Sequence, residues 1–337
     1  MVEAYRPMTE PMTESSQVAA ALKGCAVHPP AADLLHVSGK DHVDLLQRIS
    51  ANDVKGLEPG RWHWNCCTSA KGKLVDRVRI LRSEDALLVL ATAGRGAAVA
   101  EWIDLYTILE DVAVETITGG VRLLHLVGPD ARAVAAAVTG VEAEAFEEWT
   151  FREAEVAGKP ATVLSTDGTG RAPGVLLLVP YDVIDAARSA AVDAGATPID
   201  DAAWEAIRVT TGLPRVGVDV GEDRHPLEAG LWDGVSFDKG CYVGQEVLAR
   251  LRNYDKIQRH LVTLDLDGDA AAGAELVADG KPVGTLTTVV GPPWLEAPRA
   301  LGYVKRRTIQ AGKEITVGAD GPAARVDEIV SRGSDTR

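Results

Sequence analysis

One short segment concentrates the residues best suited to chemistry. It spans residues 238–250 and reads DKGCYVGQEVLAR. Lys239 stands two positions before Cys241, and Gly240 and Gly244 lie on either side of the thiol. A nearby cation favours the thiolate, which is the form of cysteine that attacks electrophiles and binds metals. Because glycine reaches backbone conformations that other residues avoid, the segment predicts a turn that holds a reactive thiol at the surface.

The same pattern also fits a purely structural turn before a helix. Free cysteine is among the most buried residue types, and Gln245 and Glu246 suit the first turn of a helix. Glu246 and Arg250 are spaced for an ion pair between successive helical turns. A protease-like role for Cys241 would need a positioned histidine, and the sequence links none to it. One cysteine cannot hold an iron–sulfur cluster alone, so transient ligation shared with a partner is the metal role open to it.

Length, charge and cysteine usage narrow the class of protein. The chain has 337 residues, enough for two or three domains, and a net charge of −14 that argues against bulk nucleic-acid binding. Its four cysteines lack CxxC spacing, so we expect no preformed zinc site and a reducing compartment. We find neither a signal peptide nor an apolar run near the roughly 20 residues that span a bilayer. These features predict a cytoplasmic protein without a membrane anchor.

The apolar pattern predicts a mixed α+β body followed by a small β domain. Residues 1–24 are polar at their start, repeat the sequence PMTE and are predicted to form a flexible tail. Strand and helix patterns then alternate as far as residue 245. From residue 261 the apolar segments become short and most are separated by glycines or prolines, which predicts a small antiparallel barrel or sandwich within residues 255–330.

Residues 239–246, KGCYVGQE, resemble the signature of the YgfZ-type folate-binding proteins. That family is related to the glycine-cleavage T-protein, an aminomethyltransferase, and to mitochondrial iron–sulfur assembly factors. Weaker similarities to the family follow in the same order along residues 25–330. They include VSGKD at 37–41, NDV at 52–54, KGKLVD at 71–76 and HPLEA at 225–229.

The resemblance implies an α+β, T-protein-like folate-binding body and a small C-terminal antiparallel β-barrel domain. The body would cover residues 25–245 as two pseudo-symmetric subdomains, and the barrel residues 255–330. A central cavity would hold tetrahydrofolate or a folate derivative, with Cys241 at its mouth and no stably bound metal. The implied function is an accessory role in the assembly or repair of iron–sulfur clusters in client enzymes, including tRNA-modifying ones. The implied partners are therefore a folate-like small molecule and iron–sulfur client or assembly proteins.

Two positions depart from the T-protein pattern. Where those enzymes carry adjacent carboxylates, this chain has Asp76 followed by Arg77. Aminomethyl transfer needs a carboxylate near the folate amine to handle its proton, so Arg77 argues against that reaction. Where the T-protein helix carries a glutamate for the pterin ring, this chain has Thr210, which cannot supply two charge-assisted acceptors. Glu205 is a candidate to replace it.

The predicted site therefore combines a reactive pair with a set of binding residues. Cys241 and Asp76 are predicted to be catalytic. The residues predicted to bind the cofactor are Lys239, Tyr242, Gln245, Glu246, Arg250, Glu205, Arg208 and Arg171. Two other functions remain open: a tetrahydrofolate-dependent aminomethyltransferase or demethylase, which Asp76 favours, and a non-catalytic binding module without folate. The second of these would tolerate the loss of Cys241.

Overall fold

The computed structural model describes residues 14–168, 172–254 and 256–332. Its first part consists of a helix, a short strand and a five-stranded antiparallel sheet with two helices. These elements are α1 Glu14–Lys23, β1 Ala26–His28, β2 Ala32–Ser38, α2 His42–Ile49, β3 Arg61–Thr68, β4 Leu74–Arg82, β5 Leu87–Thr92, α3 Gly96–Tyr106 and β6 Ala113–Thr116.

The second part is built in the same way. Its elements are β7 Val121–Val127, α4 Ala131–Thr139, β8 Phe151–Val156, β9 Lys159–Thr166, β10 Gly174–Pro180, α5 Ile184–Asp193 and β11 Thr197–Pro198. The remaining elements form two linking helices and the C-terminal barrel. They are α6 Asp201–Thr210, α7 Gln245–Asn253, β12 Arg259–Leu266, β13 Glu275–Ala278, β14 Lys281–Val290, β15 Arg299–Lys305, α8 Arg306–Gln310, β16 Ile315–Val317 and β17 Ala323–Ile329.

The two halves repeat one element order, strand–helix–three strands–helix–strand. The first sheet has the order β3-β4-β5-β2-β6, and the second has the order β8-β9-β10-β7-β1-β11. The second order is the first with β1 inserted between β7 and β11. Each half therefore places the hairpin of its second and third strands, β3–β4 or β8–β9, at one edge of its sheet.

The core between the two sheets is made of large apolar side chains from both halves. Trp62 and Leu81 of the first sheet pack in one buried cluster with Leu164 and Leu176 of the second. The opposite face of each sheet is covered by its own pair of helices. Strand β10 is buried along almost its whole length, because a sheet covers one face and helices cover the other. This burial explains its unbroken apolar sequence, GVLLLVP.

The C-terminal domain is a closed antiparallel barrel with the strand order β12-β15-β14-β13-β16-β17. The predicted α+β body with a small C-terminal antiparallel barrel is confirmed. The short strands that the sequence predicted between residues 261 and 317 are present. Strand β17, which the sequence did not predict, closes the barrel by pairing with both β12 and β16.

The structure differs from the predicted tail at residues 14–23, which form helix α1. Val18 and Ala21 of α1 are buried in a cluster with Ala203 and Ile207 of α6. This contact buries apolar surface that the N-terminal sequence alone cannot cover, and it outweighs the weak helical signal of a short polar segment. None of the helices in the described ranges is long and apolar enough to cross a membrane.

Candidate functional site

A cavity of about 390 Å³ lies between the two sheets and is bounded on one side by α6. It is lined by side chains from both halves of the body. Those with polar or aromatic groups include Trp64, Arg77, Arg79, His125, Trp204 and Glu205. Ligand sites commonly form at such interfaces between subdomains, with apolar walls and a few placed polar groups.

Strand β4 supplies the cationic wall of the cavity. Arg77 and Arg79 are two residues apart, so their side chains leave the same face of the strand. Trp64 of β3 pairs in register with Arg79. Both guanidinium groups lie against its indole ring, at 3.8 Å for Arg77 and 4.1 Å for Arg79 from the ring centre. The tryptophan therefore holds two neighbouring cations in place.

Arg77 forms an ion pair with Asp233, a residue far away in the sequence. Its Nη2 lies 2.5 Å from Oδ2 of Asp233, and both side chains are nearly inaccessible, at 4% and 11% exposure. Burial raises the pKa of the Asp233 carboxyl to about 6, and Arg77 opposes that rise. The Asp233 carboxyl is therefore mostly ionised at neutral pH. The arginine that stands where T-proteins have a carboxylate has its own acidic partner.

The opposite wall is aromatic and carries neutral imidazoles. The His28 ring stacks on Trp204 of α6 with a 5.3 Å separation of ring centres, and His125 meets the same indole edge-on at 5.5 Å. Nε2 of His28 lies 2.8 Å from Oδ1 of Asp201. Burial lowers the pKa of both His28 and His125. This wall offers stacking surfaces and hydrogen-bonding groups without added positive charge.

Glu205 and Arg208, both predicted to bind the cofactor, line the cavity together. They are joined by two hydrogen bonds, from Nε of Arg208 to Oε1 at 2.8 Å and from Nη2 to Oε2 at 2.6 Å. Arg208 also donates to the buried carboxylate of Asp219, and Arg215 donates to Glu205. The charge of Arg208 is thus balanced inside the protein, while Glu205 presents a carboxylate already shared by two arginines. Thr210 does not line the cavity.

Asp76, predicted to be catalytic, lies behind the cavity wall and is fully buried. Its carboxylate accepts hydrogen bonds from the backbone N–H and the hydroxyl of Thr92, at 2.9 and 2.7 Å, and from the backbone N–H of Arg77. Burial raises its pKa, and these hydrogen bonds oppose the rise. Thr92 lines the cavity and Asp76 does not. This position gives Asp76 the role of orienting Thr92 rather than contacting a ligand.

Lys239 also lies away from the cavity, contrary to its predicted binding role. Its Nζ donates to the backbone carbonyls of Gln47, Ser50 and Asn52, at 2.6, 2.8 and 2.8 Å. An ammonium group has three donors, so none is left for a ligand. These carbonyls lie at and after the C-terminal end of α2, where a cation is favoured by the helix dipole. Lys239 therefore anchors the signature segment to α2.

The rest of the signature segment is positioned by packing. Tyr242 is buried, while Glu246 and Arg250 form an exposed ion pair at 2.6 Å, as the structural alternative predicted. Gly244 has a φ of +85°, and a Cβ there would lie 2.7 Å from the carbonyl oxygen of Ser69 in the β3–β4 turn. The glycine is required by this close contact. The residues that line the cavity do not include Lys239, and they do not include Tyr242, Gln245, Glu246 or Arg250 either.

Cys241 is exposed, and the other three cysteines are buried. Burial raises the pKa of the Cys25 thiol to about 12 and raises those of Cys66 and Cys67 as well. The structure thus presents one accessible thiol on the signature segment. It does not place Cys241 at the mouth of the cavity, where we expected it, because the lining residues do not include it.

Several cavity residues were not predicted from the sequence, notably Arg79, Trp64, His125 and Trp204. The available signal was the alternation of cations with apolar residues in RVRI at 77–80, which is unusual on an interior strand. Arg171 lies outside the described residues. Within the described ranges, no group of three or more His, Cys, Asp or Glu side chains is arranged to hold a metal ion.

Comparisons with known proteins agree with this architecture. Residues 32–239 match the GCVT N-terminal domain, and residues 259–330 match the glycine cleavage T-protein C-terminal barrel domain. The first of these matches covers more than half of the chain, and the chain therefore belongs to the glycine cleavage T-protein family.

Individual relatives give the same picture. The chain is 26% identical over 292 residues to a chloroplastic candidate transferase of Arabidopsis thaliana, covering 85% of this chain and 66% of that protein. It is 30% identical over 309 residues to an aminomethyltransferase of Symbiobacterium thermophilum, covering 87% and 82%. Its fold is similar to that of the glycine cleavage system aminomethyltransferase T from Bartonella henselae, with a TM-score of 0.83, 22% identity and coverage of 96% and 90%.

Proposed function

We propose that this chain binds a tetrahydrofolate-type ligand in its central cavity and acts as an accessory factor for the assembly or repair of iron–sulfur clusters in client enzymes. The observation that carries the proposal is a ring-binding cavity whose lining carboxylates are already engaged. Asp201 is bonded to His28, and Glu205 is shared by Arg208 and Arg215. The site has aromatic walls, and both of its lining carboxylates are engaged in hydrogen bonds with basic side chains.

The volume and walls of the cavity support a ligand of the folate class. A volume of about 390 Å³ lies within the range of pockets that enclose drug-sized molecules. Trp64 and Trp204 contribute indole rings to the cavity walls, and His28 and His125 contribute imidazoles, which suit an aromatic heterocycle. The names of the aminomethyltransferase relatives support the same ligand class.

The proposal of binding without aminomethyl transfer rests on Asp76 and Arg77. A base for the folate amine must reach within hydrogen-bonding distance of it, directly or through one water. Asp76 is buried behind Thr92, and Arg77 presents a cation paired with Asp233. The two positions at which T-proteins carry adjacent carboxylates therefore give this cavity no accessible base.

The iron–sulfur part of the proposal is supported by the signature segment. It resembles the YgfZ-type signature, and its thiol, Cys241, is the exposed one among the four cysteines. An accessible thiol can ligate an iron atom in transit when a partner protein or small molecule supplies the other ligands. Lys239 and Gly244 hold the backbone on either side of it, so the thiol is presented from a fixed loop.

The test is to delete the gene and measure a cluster-dependent activity, such as the thiolation of tRNA. We expect the wild-type gene to restore the activity and Cys241→Ala to fail at equal protein abundance. Tyr254→Ala is the matched control, because it changes another exposed side chain near the segment and should restore activity. Full activity with Cys241→Ala would overturn the cysteine-centred role.

The alternative is a tetrahydrofolate-dependent aminomethyltransferase or demethylase, which the names of the relatives favour. It predicts tetrahydrofolate-dependent turnover of a glycine-derived aminomethyl group or a methylamine by the purified protein. We expect binding of tetrahydrofolate without this turnover. Robust turnover would replace the accessory function by the enzymatic one.

A further inference from the structure

One cation in the cavity wall has no counterion in contact with it. Within the described part of the chain, the guanidinium of Arg79 makes no hydrogen bond or ion pair, and its Nε is shielded without a partner. Its close contacts are the indole rings of Trp64 and Trp62, at 4.1 and 5.8 Å. Arg77, its neighbour on β4, is by contrast paired with Asp233.

Two carboxylates act on Arg79 through space but do not pair with it. Asp167 and Asp233 attract its charge, and Arg77 repels it. Asp233 is occupied by Arg77, and Oδ1 of Asp167 is buried without a hydrogen-bond partner. Burial lowers the pKa of Arg79 to about 10, which leaves it charged at neutral pH. Arg79 is half-buried and lines the cavity, and its side chain has no hydrogen-bonded partner among the described residues. Because a charge out of bulk water is favoured when it is paired and hydrogen-bonded, this cation is suited to an anionic group of a ligand.

We propose that Arg79 is the receptor for a carboxylate of the cavity's ligand and that it selects ligands carrying this group over the same ring without it. A guanidinium matches a carboxylate with two parallel hydrogen bonds. Stacking on Trp64 fixes the plane of the group in advance, so little freedom is lost on binding. The other walls of the cavity take the ring system.

The identity of the carboxylate rests on the proposed function. In a folate-type ligand it is that of the glutamate, which lies at the far end of the molecule from the pterin ring. The anion-binding property itself rests on Arg79 alone and holds for other carboxylates. These two statements can therefore fail separately.

The experiment measures quenching of tryptophan fluorescence, since Trp64 and Trp204 line the cavity. Three probes are titrated: 5-formyltetrahydrofolate, p-aminobenzoylglutamate and the carboxylate-free 6-methyltetrahydropterin. The variants are Arg79→Met, which keeps the length of the side chain, and Arg79→Lys, which keeps the charge. The control is Arg132→Met on α4, because Arg132 also has an Nε without a partner but does not line the cavity.

We expect Arg79→Met to weaken binding of both glutamate-bearing probes by about tenfold to a hundredfold, the value of a charged hydrogen-bonded pair. The affinity for 6-methyltetrahydropterin should change by less than about twofold, because this probe has no carboxylate to pair with Arg79 and its other contacts with the cavity are kept. Arg132→Met should leave all three unchanged. Equal losses for all probes, or no loss for the glutamate-bearing ones, would overturn the assignment. If Arg79→Met does not fold, the same comparison is made with Arg79→Gln, which also removes the charge. Arg79→Lys keeps the charge and should retain part of the affinity for the glutamate-bearing probes.

A second titration separates this inference from the proposed function. If the wild-type protein binds none of the pterin probes, folate binding is wrong, and glutarate then decides the role of Arg79. Thermal stabilisation of wild type by glutarate, lost in Arg79→Met, supports the carboxylate receptor. No stabilisation of wild type by glutarate or by any of the probes would overturn it.

Discussion

Arg77 shows how one charge reversal changes what a site can do. Its guanidinium takes the place of a carboxylate on the strand that T-proteins use, and Asp233 neutralises it from a distant loop. Because both side chains are buried, neither can be lost alone without leaving an unpaired charge. The sequence predicted the loss of the carboxylate, but it could not identify Asp233, which lies 156 positions away.

The pair makes a direct stability prediction. Arg77→Met should lower the free energy of unfolding by about 3–5 kcal/mol, because it leaves the buried carboxylate of Asp233 without its cationic partner. The double variant Arg77→Met with Asp233→Asn removes both charges and should recover a substantial part of that loss. Urea unfolding of the wild type, both single variants and the double variant measures this. Additive losses in the double variant would show that the two residues are not coupled.

At the scale of elements, the signature segment mainly connects α2 to the β3–β4 turn. Lys239 anchors it to α2, and Gly244 lets it contact the β3–β4 turn. Of the eight contiguous signature residues, Cys241 combines exposure with a nucleophilic group, while the exposed carboxylate of Glu246 is paired with Arg250. The sequence predicted that Lys239, Tyr242, Gln245 and Glu246 bind the cofactor. A short motif does not show which of its side chains pack against another element and which face a ligand.

Two substitutions within the segment separate its structural and chemical parts. Lys239→Met should lower the free energy of unfolding by about 2–4 kcal/mol, since three carbonyls lose a charged donor. Cys241→Ser should change it by less than about 0.5 kcal/mol, as expected for an exposed side chain. Both are measured by urea unfolding. An unaffected Lys239→Met variant would contradict the anchoring role.

Most strands and helices of the body could be predicted because their apolar periodicity is strong, as in β10 and α4. The exceptions are elements that depend on distant partners. Helix α1 is stabilised by α6, and β17 has an exposed, charged pattern but is held by β12 and β16. In both cases tertiary contacts, rather than local preference, decide the structure.

At the scale of the whole molecule, the cavity is a product of the repeated architecture. Two halves with one element order pack sheet against sheet, and residues from His28 to Val216 converge on the space between them. No stretch of sequence contains the site. The lining residues come in short groups separated by tens of positions, so the fold class could be predicted while Arg79, His125 and Trp204 could not be assigned to one place.

The buried histidines make the whole protein sensitive to acid. Burial lowers the pKa of His28 and His125, and it lowers that of His63 to about 4, with Lys239 adding to the effect. The unfolded chain binds protons at these sites below about pH 6.5, and the folded protein resists them. Stability is therefore complete above this pH and should fall as the pH decreases towards 4, by up to about 1.4 kcal/mol per pH unit for each histidine.

Replacing one of these histidines tests the source of the acid sensitivity. His125→Gln should give a shallower decline in urea stability between pH 6.5 and 5 than the wild type. The matched control is His36→Gln on β2, because its side chain is half-buried and does not line the cavity. An unchanged slope in His125→Gln would assign the effect to other groups.

The central claim, that the cavity holds a tetrahydrofolate-type ligand, is tested most directly by anaerobic calorimetric titration of tetrahydrofolate. The comparison is between the wild type and Ala93→Trp, which fills the cavity from an exposed lining position and should leave the core intact. We predict saturable binding of one molecule per chain in the wild type and a loss of at least about tenfold in affinity in the variant. No binding to the wild type, or equal binding to a folded Ala93→Trp variant, would contradict the account.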